Sequence, residues 1–318
     1  MRNIAIITGW TSSERPISLK SAETRQNYLE KLWYNVKKFI IPEDLDLLLK
    51  NINKIDLIIP IIHWIDGEDG KITALAELFK KPYFFSDYSV LNLTLNKYLT
   101  NLFVKKLNLK NIILPRSILI NNYKEIDLIP KYFKDKKIIL KPNKGGSSIN
   151  TIVCKVDDIS ANENNIKEIL KSDELLVQEF IPIKKELSIS IFWDYDKYPK
   201  IIWITEIKYN SEIFDYEAKY LWKSEEIHYL IKEYIEVYWW NLRDKIKNDI
   251  LTIYKKLKIK TLWRIDIIVG KDDNIYFLEI NTIPGFSQNS IYPQIASKYW
   301  WNLKNFFVYL LKYNKLWK

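Results

Sequence analysis

Short apolar runs alternate along this chain with longer stretches of helical period, which predicts α/β units rather than a sandwich or a helix bundle. Residues 3–8 read as a buried strand, 19–34 as a helix, 36–41 as a strand, 45–52 as a helix and 55–63 as a strand, so the chain opens βαβαβ. A loop over 64–70 leads to a helix over 72–80. Residues 90–107 read as one further helix that carries the chain into a second unit of α+β character. Strands are expected there at 117–120, 137–141, 151–156 and 175–180, with a helix near 166–171. From residue 186 the pattern turns strand-rich (187–192 and 201–209). A long helix over 242–257, two strands at 262–269 and 275–280, and closing helices follow. There is no internal repeat, Pro/Gly linker or low-complexity tract. Domain boundaries therefore rest on changes of pattern, which place them at 1–93, 94–182 and 183–318.

Composition narrows the class. The 318 residues are 47% hydrophobic, yet no apolar run approaches the length of a membrane span. Cys154 is the single cysteine and cannot form an intramolecular disulfide. The start MRNIAIITGW leads into polar sequence rather than an apolar signal segment. A reducing cytoplasm is the expected location, with no membrane attachment. Forty-nine Lys and Arg against 39 Asp and Glu give a net charge of +10, which favours anionic partners. The basic residues are spread without a dense block, so nucleic-acid binding is not expected, whereas phosphate-bearing metabolites fit the charge equally well.

Five stretches could carry chemistry. Arg264 and Asp266 lie on one predicted strand, Glu279 and Asn281 on the next, and alternation puts each pair on one strand face. Burying such groups unpartnered would cost several kcal/mol, roughly, in total. Carboxylate and amide oxygens suit Mg²⁺ completed by phosphate oxygens, while a structural ion pair of Arg264 with a neighbouring acid is the alternative. The run Lys141-Pro-Asn-Lys-Gly-Gly-Ser-Ser148 ends a strand with the chain's one Gly-Gly pair. Its backbone N–H groups could approach phosphate, or it could be a simple hairpin tip; it is not a Walker A loop. Thr11 to Arg15 follows the first strand, at the sheet end where α/β folds bind ligand, and also reads as a helix N-cap. His63-Trp-Ile-Asp-Gly-Glu-Asp-Gly70 leaves the third strand at the same end. Phe214 to Tyr220 is dense in polar aromatics and charge, as in a functional loop.

In this order the five stretches resemble the D-alanine–D-alanine ligases of the ATP-grasp superfamily. The matching segments are Ser12 to Leu19, His63 to Gly70, Lys141 to Ser148, Tyr216 to Tyr220, Arg264 to Asp266 and Glu279 to Gly285. Each motif is weak alone, but the ordered set covers almost the whole chain.

The resemblance implies a three-domain ATP-grasp ligase with an N-terminal βαβ-type domain and ATP held between central and C-terminal domains. It implies that one D-alanine is phosphorylated to an acylphosphate and that the amine of a second displaces phosphate. Asp266, Glu279 and Asn281 would hold two Mg²⁺ (or Mn²⁺). Lys97, Lys141 and Lys219 would contact the nucleotide phosphates. Glu179 with the backbone of Phe180 and Ile181 would meet adenine, and Glu186 the ribose. Glu14 would bind the ammonium of the first D-alanine and His63 would shape its pocket, while Gly285 and Ser290 would serve the second. Arg264 would stabilise the transferring group, and the loop ending at Tyr220 would close onto Ser147. Family resemblance also implies a homodimer.

Several departures qualify this. Asn96 precedes Lys97 where an Asp is usual, and the stretch Ile149-Asn150-Thr151 lengthens the turn after Ser148. Residues 221–241 resemble the family little, and His228 among them reads as a surface residue. Tyr220 favours dipeptide formation over a ligase using D-lactate or D-serine, while a non-catalytic nucleotide-binding remnant is the alternative from another class. The composition is also abnormal: seven Gly stand against an expectation of about 22, and there are twelve Trp. Trp10, Trp64, Trp193, Trp263 and Trp300 fall where the family pattern carries glycine. They are expected to be native glycines under a variant genetic code, unless the 21 Tyr and 13 Phe signal a general aromatic enrichment.

Overall fold

The computed structural model describes residues 2–10, 15–62, 67–146, 148–192, 200–209, 224–230, 242–285, 290–298, 308 and 311. Three sheets organise them.

The first is parallel, in the order β2-β1-β3, with β1 at Asn3–Gly9, β2 at Asn35–Ile41 and β3 at Leu57–Ile61. Helices α1 (Arg15–Glu30) and α2 (Leu45–Asn51) make the crossovers, and α3 (Lys71–Leu78) follows β3. Ile4, Ala5, Ile6 and Ile7 are all buried, as a central parallel strand covered on both faces requires. That double burial is why its sequence is a continuous apolar run rather than an alternation.

The single helix expected over 90–107 is two helices, α4 (Tyr88–Leu95) and α5 (Lys97–Lys106). Asn96 leaves helical geometry at φ −81, ψ 99, and its side chain accepts a hydrogen bond from Leu99 N. An Asn cap inside an apolar helical pattern is the signal that the periodicity hid.

β4 (Ile112–Ile113) comes next, followed by the second sheet, which is antiparallel in the order β5-β8-β6-β7. Its strands are β5 (Ser117–Ile120), β6 (Lys137–Pro142), β7 (Ile152–Lys155) and β8 (Leu175–Glu179), and α6 (Ile129–Phe133) and α7 (Glu163–Ser172) cover it. Ile166 and Ile169 of α7 project from one helix face into a core with Ile138, Leu140 and Val177.

The third sheet runs β11-β10-β9-β12-β13-β4 and is antiparallel except for the β13–β4 edge. It comprises β9 (Ile183–Phe192), β10 (Lys200–Tyr209), β11 (Ser224–Leu230), β12 (Leu262–Gly270) and β13 (Ile275–Asn281). The two-residue β4 and the strand β11, within the stretch that carried no expectation, were not legible as strands. Helix α8 (Leu242–Leu257) turns Ile246, Ile250, Ile253, Tyr254 and Leu257 toward Leu187, Ile189, Ile191, Ile265 and Ile267. One face of β9 and β12 is thus committed to α8, and period-two alternation forces Glu186, Ser188, Ser190, Arg264 and Asp266 onto the other. Helix α9 (Ile291–Lys298) follows β13. Among the described residues no helix is long and apolar enough to cross a membrane.

Candidate active site

The polar face of β9, β12 and β13 forms two cross-strand rows. Ser190, Arg264 and Asn281 align in one, and Ser188, Asp266 and Glu279 in the other. The β12–β13 register shifts just beyond Asp266, a bulge of the kind found beside functional sites. Arg264 grips Asp266 in a fork, with Nε 2.9 Å from Oδ1 and Nη2 2.9 Å from Oδ2. Asn281 Nδ2 donates to Asp266 Oδ2 at 2.8 Å and lies 3.4 Å from Glu279 Oε1. The ion pair of the second reading is present, Arg264 with Asp266, and the two share their face with Glu279 and Asn281. Burial acts to lower the Arg264 pKa, but the adjacent Asp266 and Glu279 carboxylates outweigh it and push the guanidinium further up.

Lys97, the first residue of α5, reaches the same cluster, its Nζ 3.6 Å from Glu279 Oε2. It also donates to the carbonyl of Gly145. One ammonium thus ties the carboxylate row to the Gly-Gly loop. Asn143 holds that loop from below. It is fully buried, donates through Nδ2 to Asn96 Oδ1 at 3.0 Å and Glu174 Oε2 at 2.8 Å, and accepts from Tyr98 N at 2.9 Å. Asn96 keeps the acceptor oxygen that an Asp would supply, so the exchange of Asp for Asn preserves the cap. A Cβ on Gly145 would lie 2.7 Å from Pro142 Cβ, which is why glycine sits at this bend. Lys141, at the end of β6 beside the loop, is 8% exposed.

Glu179 ends β8 and pairs with Lys136, and Lys137 Nζ lies 5.0 Å from the Phe180 ring centre. Ile181 is buried in the connection from β8 to β9. Glu186 accepts a 2.7 Å hydrogen bond from Tyr209 Oη. Gly285 and Ser290 are adjacent, since a Cβ on Gly285 would stand 2.7 Å from Ser290 Oγ. Glu14, His63, Ser147, Lys219 and Tyr220 lie outside the described residues.

Three contributors were missed in sequence. Ser188 donates to Asp266 Oδ1 at 2.6 Å. Asn143 anchors the loop. Tyr292 of α9 donates to the Trp263 carbonyl at 2.7 Å, bracing β12 one residue before Arg264. The run Glu-Leu-Ser-Ile-Ser over 186–190 alternates polar and apolar and could have flagged Ser188; Asn143 stands inside the Lys141 to Ser148 stretch with no role assigned to it, and Tyr292 carries no local signal. Among the described residues no cluster of three His, Cys, Asp or Glu side chains is present. Two carboxylates with one amide suit a cation whose remaining ligands are phosphate oxygens, and they do not make a closed protein cage.

This architecture, a small antiparallel sheet and a larger one that carries paired carboxylates, bridged by Lys97 between the Gly-Gly loop and Glu279, is that of an ATP-grasp ligase. The chain superposes on D-alanyl-alanine synthetase A from Vibrio cholerae with a TM-score of 0.79 at 22% identity, covering 99% of this chain and 98% of that one. It superposes on a Bacillus anthracis D-alanine–D-alanine ligase complexed with ATP with a TM-score of 0.77, again at 22% identity, covering 99% and 98%. Residues 135–312 match the family model described as D-ala D-ala ligase C-terminus. The D-alanine–D-alanine ligase of Fervidobacterium nodosum is 32% identical over 307 residues, 93% of each chain. The chain belongs to the D-alanine–D-alanine ligase family and is an ATP-dependent ligase.

Proposed function

We propose that the protein joins two D-alanines to D-alanyl-D-alanine at the expense of ATP, for peptidoglycan precursor synthesis in the cytoplasm, and that it acts as a homodimer. The observation that carries this reading is the gathering of Arg264, Asp266, Glu279 and Asn281 on one sheet face, with Lys97 reaching from α5 to join them to the Gly-Gly loop. A substrate carboxylate must approach the γ-phosphate, and two anions meet only where cations lie between them. Lys97, Lys141 and Arg264 supply such charge from the chain itself. Asp266, Glu279 and Asn281 would hold Mg²⁺, which when bound screens the phosphate oxygens and orients the transferring group. Asn281 now turns its amide nitrogen to the carboxylates; a half-turn about its terminal bond would present oxygen to a cation.

ATP is assigned to the cleft between residues 94–182 and 183–318, with residues 1–93 contributing to the D-alanine sites. Phe180, Ile181 and Glu179 would take the adenine, and Glu186, held by Tyr209, the ribose. Lys136 would have to release Glu179. Gly285 and Ser290 would receive the second D-alanine, and Glu14 and His63 the first. Lys219 would reach the phosphates, while closure of Tyr220 onto Ser147 would keep water from the acylphosphate. A product assay offering D-alanine, D-lactate and D-serine separately as acceptors with ATP tests the reading. Dipeptide of D-alanine is the expected product; ester formation without dipeptide would reject it in favour of D-lactate. Absence of D-alanine-dependent phosphate release would favour the non-catalytic alternative.

A further inference from the structure

Four tryptophans fall among the described residues, Trp10, Trp33, Trp203 and Trp263, and two of them, Trp10 at φ 66 and Trp33 at φ 64, adopt left-handed backbone. For an L-residue with a bulky side chain this conformation is strained, and glycine adopts it freely. At position 33 the surroundings show that the backbone, not the indole, dictates it, whereas the Trp10 indole packs against the core of the first sheet with Lys71 Nζ 5.8 Å from its ring centre. After α1, Trp33 N donates to Glu30 O at 2.9 Å and Tyr34 N to Leu29 O at 3.3 Å. That is a Schellman termination with Trp33 at the position where helices favour glycine. At position 10 the N–H donates to Ile41 O at 2.5 Å and the carbonyl accepts from Arg15 Nη1 at 2.8 Å, directly after Gly9 at φ 99.

Lys80 and Asn108 also take positive φ just beyond α3 and α5, so the chain tolerates side chains at such sites. Phe85 takes it too, at φ 77, but is 1% exposed, so packing offsets the strain. Trp33 is 83% exposed and gains no such compensation. A third tryptophan, Trp263, is fully buried with its indole N–H lacking a hydrogen-bond partner, an uncommon state for this group. The twelve Trp and seven Gly together make 19, close to the roughly 22 glycines that average usage gives a chain of this length.

From the backbone geometry and this balance we infer that positions 10 and 33 are glycines in the protein as its own cell makes it, the written tryptophans being UGA codons that the cell decodes as glycine. The inference is independent of the reaction assigned above. It bears on the site nonetheless, because position 10 is the last described residue before the Thr11 to Glu14 segment.

The gene sequence and the native protein test it together. UGA at codons 10 and 33 is expected, and UGG at either would overturn the inference. Peptide mass spectrometry of protein isolated from the source cell is expected to find glycine at 10 and 33 and phenylalanine at 85; tryptophan at 10 or 33 would refute it. In the recombinant chain as written, Trp33→Gly should raise the folding equilibrium constant about two- to fivefold, since left-handed strain is relieved and little packing is lost. A fall in stability would remove the conformational ground for the inference.

Discussion

The Ser188 hydroxyl donates a 2.6 Å hydrogen bond to Asp266 Oδ1 across the β9–β12 ladder, in the row that continues to Glu279. Ser188 is fully buried, so this bond fixes the carboxylate that Arg264 holds from its own strand. Ser188→Ala is expected to lower kcat/KM about tenfold, in line with loss of a buried hydrogen bond to a charged group. Ser188→Thr should restore it. Kinetics over a Mg²⁺ series separate positioning from stability: the half-saturating Mg²⁺ concentration should rise in the alanine variant. An unchanged Mg²⁺ dependence would show that the hydroxyl does not set the carboxylate.

Glu279→Gln is expected to reduce ligation at least about a hundredfold and to cost at most about 1 kcal/mol of stability, because its 3.6 Å contact with Lys97 is longer than the fork that joins Arg264 to Asp266. Asp266→Asn removes the charge of the neighbouring carboxylate, and there the geometry predicts a larger cost. Asp266 is the partner of Arg264, whose side chain is only 21% exposed. The Asn variant leaves that guanidinium short of its counter-charge and should lose about 2 kcal/mol of stability as well, less than for a fully buried pair. Urea unfolding alongside turnover measures both. Near-original Mg²⁺-dependent turnover in either variant would remove the metal assignment.

Asn143, fully buried, links the Gly-Gly loop to the start of α5 through two side-chain hydrogen bonds and to Glu174 through a third. Asn143→Ala is expected to cost about 2 to 3 kcal/mol. Because Lys97 and Gly145 sit on the two segments it joins, KM for ATP should rise more than kcat falls. The opposite split would place Asn143 outside nucleotide binding.

Asp87, the residue before α4, pairs with Lys260 just ahead of β12 and accepts from Tyr83 Oη at 2.5 Å. Burial acts to raise its pKa, but the bonds from Lys260 and Tyr83 outweigh it and hold the carboxyl below its ordinary 3.8. A carboxylate depressed in the folded state contributes stability above its unfolded pKa and loses it as pH falls through the folded value. Asp87→Asn should therefore lower the melting temperature at pH 7 and have little effect near pH 2. The neutral-pH effect should be on the order of 1 kcal/mol or less, as for a part-exposed pair. Equal losses at both pH values would argue against the ion pair as its source.

Tyr220→Phe is expected to slow product formation several-fold, roughly, and to leave ATP affinity intact, since the hydroxyl is assigned to the closed loop alone. Fluorescence titration with a non-hydrolysable nucleotide alongside turnover checks this. Normal turnover with poor nucleotide affinity would contradict the assignment.

The sequence by itself determined the features written in local periodicity and ordered motif. The continuous apolar run of β1 marks a strand covered on both sides, and the facial period of α8 marks a helix on a sheet. Alternation alone puts Arg264 with Asp266 and Glu279 with Asn281, because a strand turns every second side chain to the same face. What alternation leaves open is which strands lie side by side and in what register. Only the fold aligned Ser188 with Asp266 and Asp266 with Glu279, residues up to 91 positions apart. Only the fold brought Lys97 from the start of α5 to Glu279, after Asn96 broke a helix that apolar spacing had run together. The partners of Asn143 and Tyr292 were silent for the same reason: each acts through hydrogen bonds to segments distant in sequence, and such partners leave no local pattern. The tryptophans divide along this line too. Composition marked them as abnormal, but the backbone angle at positions 10 and 33 is a property of the folded chain, set where a helix end and a strand end must turn left-handed.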